Sequence, residues 1–152
     1  MGIIGERTIT VDCDVLQADG GTRTASVTGA YVAVTQVAEY LQGLLGLREL
    51  PLFESLAAVS VGIVEGEVLL DLDYEEDSSA DVDLNAVITG DGNLIEVQAT
   101  AEGRPYTRED LTTMLDYAAE GAKALAMTQE EAIRASKDCR EGSAGESGGA
   151  AT

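Results

Sequence analysis

Apolar and polar residues alternate from Ile9 to Val15: Ile9, Val11, Cys13 and Val15 are interleaved with Thr10, Asp12 and Asp14. A period of two puts the first set on one face of an extended chain. A half-buried strand is expected here, with Cys13 as a small buried hydrophobe. The pattern then changes. From about Thr22 to Leu45 the chain suits a helix, ended at Gly43 and Gly46. Ala25, Gly29, Ala33, Val37 and Leu41 share one face of it, and their small early members would let the helix lie close on a sheet. Pro51 would open a short helical turn leading to Leu56. Ala57 to Val64 is a continuous apolar run with small residues, the mark of a strand buried on both faces. Glu65-Gly66 reads as a hairpin turn and Val68 to Leu72 as its returning strand. Val82, Leu84, Ala86 and Ile88 then alternate with Asp83, Asn85 and Val87 in a further strand. Gly90-Asp91-Gly92-Asn93 turns it into a partner from Leu94 to Ala101. Thr107-Arg108-Glu109-Asp110 is a capping signal for a helix through Leu111, Leu115, Ala118, Ala122 and Leu125. Thr128-Gln129-Glu130-Glu131 would cap a last short helix to about Asp138. Beyond Glu141 the composition is Gly, Ser, Ala and Glu, and a disordered tail is expected over 141–152. Residues 1–140 then form one domain of the α+β class, an α/β sandwich with helices packed on a mixed sheet.

Composition narrows the chemistry. The chain has 152 residues with 45% hydrophobic content, enough for one domain with a core. No apolar run approaches the ~20 residues of a membrane span, and Met1 to Arg7 has no signal-peptide pattern. The two cysteines form no CxxC pair, which fits a reducing cytoplasm. There is no histidine, so serine–histidine catalysis and histidine-ligated zinc are excluded. Chemistry must rest on carboxylates, Arg, Lys, hydroxyls or a hard metal ion. Nine basic residues face 28 acidic ones, a net charge of −19, which opposes generic nucleic-acid binding.

Two stretches carry candidate chemistry. The first, Gln17 to Ser26, joins the expected strand to the expected helix. Gly20-Gly21 lets the backbone turn sharply, the first helical N–H groups then attract an anion, and Thr22 and Arg23 add a hydroxyl and a guanidinium fork. Local chemistry reads this as an oxyanion cradle for phosphate, although spacing alone favours a plain turn with Arg23 in solvent. It is neither a P-loop, lacking the Lys-Ser/Thr pair, nor a dinucleotide fingerprint, lacking the third glycine. The second stretch holds seven carboxylates between Asp71 and Asp83. Such crowding raises their pKa values unless a cation compensates. Asp77 and Asp83 flank a Ser-Ser-Ala turn, so a strand–turn–strand path would bring them together as oxygen ligands for Mg²⁺ or Mn²⁺. A solvated acidic loop fits the same residues, and Glu75, Glu76 and Asp81 fit it best.

Three ordered blocks carry a resemblance. Asp12 to Ser26 resembles the phosphate-binding segment of ribonuclease PH, the phosphorolytic RNA 3′-end exonuclease family. Leu70 to Asn85 is similar to that family's metal-site segment, and Glu96 to Gly103 to the strand after it. The resemblance runs from about Gly5 to the helix near Ala126. It implies the later part of the ribonuclease PH domain, a fold related to the second domain of ribosomal protein S5. It also implies a 3′-to-5′ exoribonuclease and nucleotidyltransferase that trims tRNA precursors with inorganic phosphate as co-substrate. By resemblance, Gly21, Thr22 and Arg23 bind phosphate, Asp77 and Asp83 hold Mg²⁺ or Mn²⁺, and Arg23, Asp77 and Asp83 are catalytic. Asp83 is the better proton donor to the leaving 3′ oxygen. The expected partners are RNA 3′ ends and further copies of the chain, a hexameric ring in the family, with no membrane. Family members carry a long segment upstream of the point matching Gly5, so an N-terminally truncated form is expected. The alternatives are a non-catalytic subunit of an exosome-like ring and an acidic interaction domain.

Overall fold

The computed structural model describes residues 4–49 and 54–146. The turn expected at Pro51 and residues 147–152 of the expected tail lie outside them, while residues 141–146, expected to be disordered, continue the last helix. Helix α1 spans Thr22–Leu45. Four strands follow, β1 (Leu56–Val64), β2 (Glu67–Leu70), β3 (Val82–Thr89) and β4 (Leu94–Ala101), with a short helix α2 (Tyr74–Ser79) between β2 and β3. Helix α3 runs from Arg108 to Glu146. The strand order is β2-β1-β3-β4.

The core follows from the two periodicities. Val59, Val61 and Ile63 of β1 meet Leu84, Ala86 and Ile88 of β3 on one face of the sheet. Met114, Ala118 and Ala122, spaced by four along α3, close over them. Burying each large aliphatic side chain stabilises by about 1.5–3 kcal/mol, so this face anchors the domain. Helix α3 starts on the expected box: Thr107 Oγ1 accepts from Asp110 N–H at 3.1 Å, and the Asp110 carboxylate accepts from Thr107 N–H at 2.8 Å.

The α/β sandwich is as expected, but every strand pairing is antiparallel where a mixed sheet was expected. The first expected strand is absent. Residues 7–15 pair with no strand; Val11 and Val15 are about half exposed, and Cys13 is exposed rather than buried. Alternation makes a strand only where an edge is free to pair it. Strand β2 pairs β1 only from Val61 to Val64, and the open edge at Ala58 is occupied by a helix side chain instead. Thr28 Oγ1 accepts from Ala58 N–H at 2.9 Å and donates to Ala58 O at 3.0 Å.

That contact also explains a second difference. The inner face of α1 is Thr24, Thr35, Ala38 and Leu41, not the Ala25, Gly29, Ala33 and Val37 row. Buried hydroxyls are tolerated when they are paired. Thr24 Oγ1 donates to Gly21 O and Thr35 Oγ1 to Tyr31 O, both at 2.8 Å.

Two further corrections concern helices. The Asp71–Asp83 stretch does not fold as strand–turn–strand: α2 intervenes, held by a capping box between Asp73 and Glu76. Helix α3 is continuous where a second helix was expected to start at Thr128. The Thr128 hydroxyl bonds back to Ala124 O within the helix rather than capping a new one. Gln129 is buried and donates to Thr28 O and Leu56 O, joining α3 to α1 and β1.

Candidate active site

The sheet face opposite the apolar cluster is polar over β1, β3 and β4. Ser60 lies opposite Asn85, which lies opposite Gln98; Gly62 lies opposite Asp83, which lies opposite Thr100. Alternation in each strand forces this, because the neighbours Val61 and Leu84 point into the core.

The glycine turn sits against this face. Gly21 is the N-cap of α1 with φ 66°, a left-handed conformation that glycine adopts without cost. A Cβ there would sit 3.3 Å from Ser60 Oγ and 3.9 Å from Ser60 Cβ, so the hydroxyl end of Ser60 faces the turn. No side chain caps α1, and its first turn holds no acidic residue. In a chain of net charge −19 this leaves a long helix with its positive end open to an anion. Arg23 is not loose in solvent. Its Nη2 donates to Glu96 Oε1 at 2.6 Å, an exposed pair that draws the guanidinium toward β4.

The turn is also fixed to the acidic segment. Asp19 Oδ1 accepts from Gly20 N–H at 3.0 Å and from Tyr74 N–H at 2.7 Å. Gly20 passes so close that a Cβ would sit 2.0 Å from Leu72 O. The start of α1 and the start of α2 are therefore one packed unit.

Of the seven carboxylates, three have clear structural partners. Asp73 and Glu76 cap α2, and Asp81 pairs with Arg104 at 3.3 Å. Asp83 differs. Asn85 Nδ2 donates to its Oδ2 at 3.0 Å, while Oδ1 is buried with no hydrogen-bond partner. Burial raises its pKa most, the negative charges of Asp77 and then Glu102 add to this, and the Asn85 bond opposes it. Asp77, on α2, thus lies within electrostatic reach of Asp83, as expected, although from a helix. Among the described residues no three acidic or cysteine side chains converge as a metal cage. A pair of carboxylates with one orphaned oxygen nevertheless fits a hard divalent ion that keeps most of its waters.

The structure therefore gathers Gly21, Thr22 and Arg23 at one end of α1, and Asp77 and Asp83 beside the same sheet face. Sequence reasoning missed Ser60, Asn85, Gly20 as a contact residue, and Glu96. One signal was present: Ser60 is the single polar side chain in the apolar run from Leu56 to Val64.

Residues 55–121 match the second domain of the 3′ exoribonuclease family. Curated relatives named ribonuclease PH are similar over most of the chain. That of Moorella thermoacetica is 56% identical over 133 residues, covering 88% of this chain and 53% of the relative. That of Synechococcus is 54% identical over 130 residues, covering 86% and 53%. Among solved structures, rice Rrp46 superposes with a TM-score of 0.60 at 17% identity, over 76% of this chain and 49% of that one. An archaeal exosome core chain gives 0.60 at 26%, over 76% and 47%. The fold is thus that of the 3′ exoribonuclease second domain. Within that class, the chain belongs to the ribonuclease PH family, and it spans about half the length of the curated relatives it matches.

Proposed function

We propose that this chain carries the phosphate and acid–metal half of a phosphorolytic 3′-to-5′ exoribonuclease that trims the 3′ ends of tRNA precursors. One observation carries the reading: the uncapped end of α1 and the orphaned oxygen of Asp83 lie against a single polar sheet face, linked by Ser60 and Asn85.

Inorganic phosphate would bind at the first N–H groups of α1, with Thr22 and Arg23 beside it. Its oxygen attacks the terminal internucleotide phosphorus, and the bond to the preceding 3′ oxygen breaks. Asp83, whose pKa is raised first by burial and then by the charges of Asp77 and Glu102, donates a proton to the leaving oxygen. A nucleoside diphosphate and a shortened RNA result; the reverse reaction extends the RNA. Asp77, and the oxygen of Asp83 that does not carry the proton, would hold Mg²⁺ or Mn²⁺, which would supply positive charge beside the reacting phosphates. Positioning and electrostatics dominate, as in other phosphoryl transfers, so a site without histidine is chemically sufficient.

A net charge of −19 leaves RNA contact to other surfaces. We assign these to further copies in a ring, hexameric in this reading, or to the rest of the length its relatives have. An apolar groove of about 560 Å³, lined by Val27, Tyr31, Val34, Leu56 and Ile95, supports such assembly. So do the exposed Leu94 and Ile95 on the edge strand β4. Among the described residues no helix is long and apolar enough to cross a membrane, and a reducing cytoplasm suits the two unpaired cysteines.

The test is release of nucleoside diphosphate from a short RNA by the folded chain. Release that needs both phosphate and Mg²⁺ and vanishes in Asp83→Asn supports the reading. Nucleoside monophosphate released without phosphate, or no product, contradicts catalysis by this chain.

A further inference from the structure

Ser60 is 3% exposed, and its Oγ has no hydrogen-bond partner. Buried hydroxyls are normally paired, because an unpaired one has lost its water without replacement. The neighbouring polar groups are already engaged. Asn85, opposite Ser60 in the ladder, directs its amide to Asp83. Thr24 Oγ1, the other hydroxyl at the turn, donates to Gly21 O. The β1 carbonyl of Ser60 itself accepts from Asp71 N–H at 2.8 Å. Only the side-chain oxygen is left over.

Its direction is informative. Oγ, rather than Cβ, is the part of Ser60 nearest the point where a Gly21 side chain would begin, 3.3 Å against 3.9 Å. Gly21 has no side chain, so the hydroxyl lies directly beneath the turn that opens α1. That helix has no side-chain cap of its own. An uncapped helix end and an unpaired buried donor beside it are two independent signs of the same missing acceptor.

We propose that Ser60 is a further phosphate-binding residue: its Oγ–H donates to the anion held at the start of α1, from the sheet side. It works from below, while the α1 N–H groups and Arg23 bind from the helix side. The inference rests on the phosphate reading of the preceding subsection and adds a ligand from a strand that the phosphate motif does not include. It also explains why a hydroxyl interrupts an otherwise apolar strand.

The experiment measures inorganic phosphate binding to the full chain by calorimetry, for wild type, Ser60→Ala and Ser60→Cys, with thermal melts in phosphate-free buffer. Ser60→Ala should bind phosphate about tenfold more weakly, the loss of one hydrogen bond to a charged group. Its melting point without phosphate should stay the same or rise, since an unpaired buried hydroxyl has been removed. Ser60→Cys keeps the shape with a poor donor and should show the same loss of affinity; it decides the matter should Ser60→Ala melt lower. Equal phosphate affinity in wild type and both variants overturns the role of Ser60 and leaves the phosphate site standing. Absence of phosphate binding in wild type overturns the site and this role with it.

Discussion

Asn85 Nδ2 holds Asp83 Oδ2 at 3.0 Å and leaves Asp83 Oδ1 buried without a partner. The two residues lie two positions apart on β3, so they share a face of the sheet by alternation alone. One oxygen fixes the orientation of the carboxyl and the other stays open to a proton or a cation. The testable consequences start from this asymmetry.

The first concerns pH. Burial, then Asp77, then Glu102 raise the Asp83 pKa in the folded chain. Between the ordinary carboxylate value and this raised one, the folded state holds more protons than the unfolded chain. Stability contributed by Asp83 therefore falls as pH rises through that window and stays lower above it. Asp83→Asn should melt above wild type at neutral pH, with the gap closing in acid, where both side chains are neutral. Thermal melts between about pH 3 and about pH 8 check this. A gap independent of pH would contradict it.

A second concerns divalent ions. Mn²⁺ or Mg²⁺ binding only the folded chain stabilises by about 2.7 kcal/mol at a hundredfold excess over Kd. Melting in Mn²⁺ should rise for wild type and not for Asp77→Asn or Asp83→Asn. Glu75→Gln, on an exposed residue of α2, should keep the full shift.

The third is steric. A Cβ at Gly20 would sit 2.0 Å from Leu72 O, a backbone atom that can move only with its segment. Gly20→Ala should destabilise by about 1–3 kcal/mol, as overpacking generally does. It should weaken phosphate and Mn²⁺ binding together, because it separates the start of α1 from the start of α2. Urea unfolding and calorimetry read both effects.

Much of this arrangement was legible in the sequence. Val82, Leu84, Ala86 and Ile88 alternate so strictly that β3 and its inward face follow from period, and the continuous apolar run from Ala57 to Val64 marks β1 as a buried strand. Thr107 and Asp110 announced the start of α3. The Gly20-Gly21 turn and the pair Asp77 and Asp83 were visible as candidate chemistry, and in both cases the resemblance supplied the role. What was not legible depends on competition for partners. The alternation from Ile9 to Val15 is a sound strand pattern, but Thr28 takes the β1 edge. Thr24 and Thr35 face inward because nearby carbonyls satisfy them, which hydrophobic patterning does not register. The Asp73–Glu76 box built a helix inside an acidic cluster read as a loop. Ser60 and Glu96 act through residues far away in sequence, Gly21 and Arg23, and only the folded chain joins them.

A fourth prediction separates holding from binding at Arg23. Its ion pair with Glu96 is exposed on both sides, so breaking it should change stability by less than about 1 kcal/mol. Glu96→Gln frees the guanidinium from a competing carboxylate and should tighten phosphate binding. Arg23→Ala should weaken that binding and lower kcat by ~10²–10³, as loss of a preorganised donor does. Phosphate titrations of the two variants should move in opposite directions.

The central claim is that the α1 end and the Asp77–Asp83 pair form one site. It is tested most directly by the ³¹P signal of bound phosphate on adding Mn²⁺, in wild type and in Asp83→Asn. The account predicts strong paramagnetic broadening in wild type, lost in the variant while phosphate still binds. Phosphate that binds wild type yet is no more broadened than in Asp83→Asn would mean two separate sites and would contradict the account.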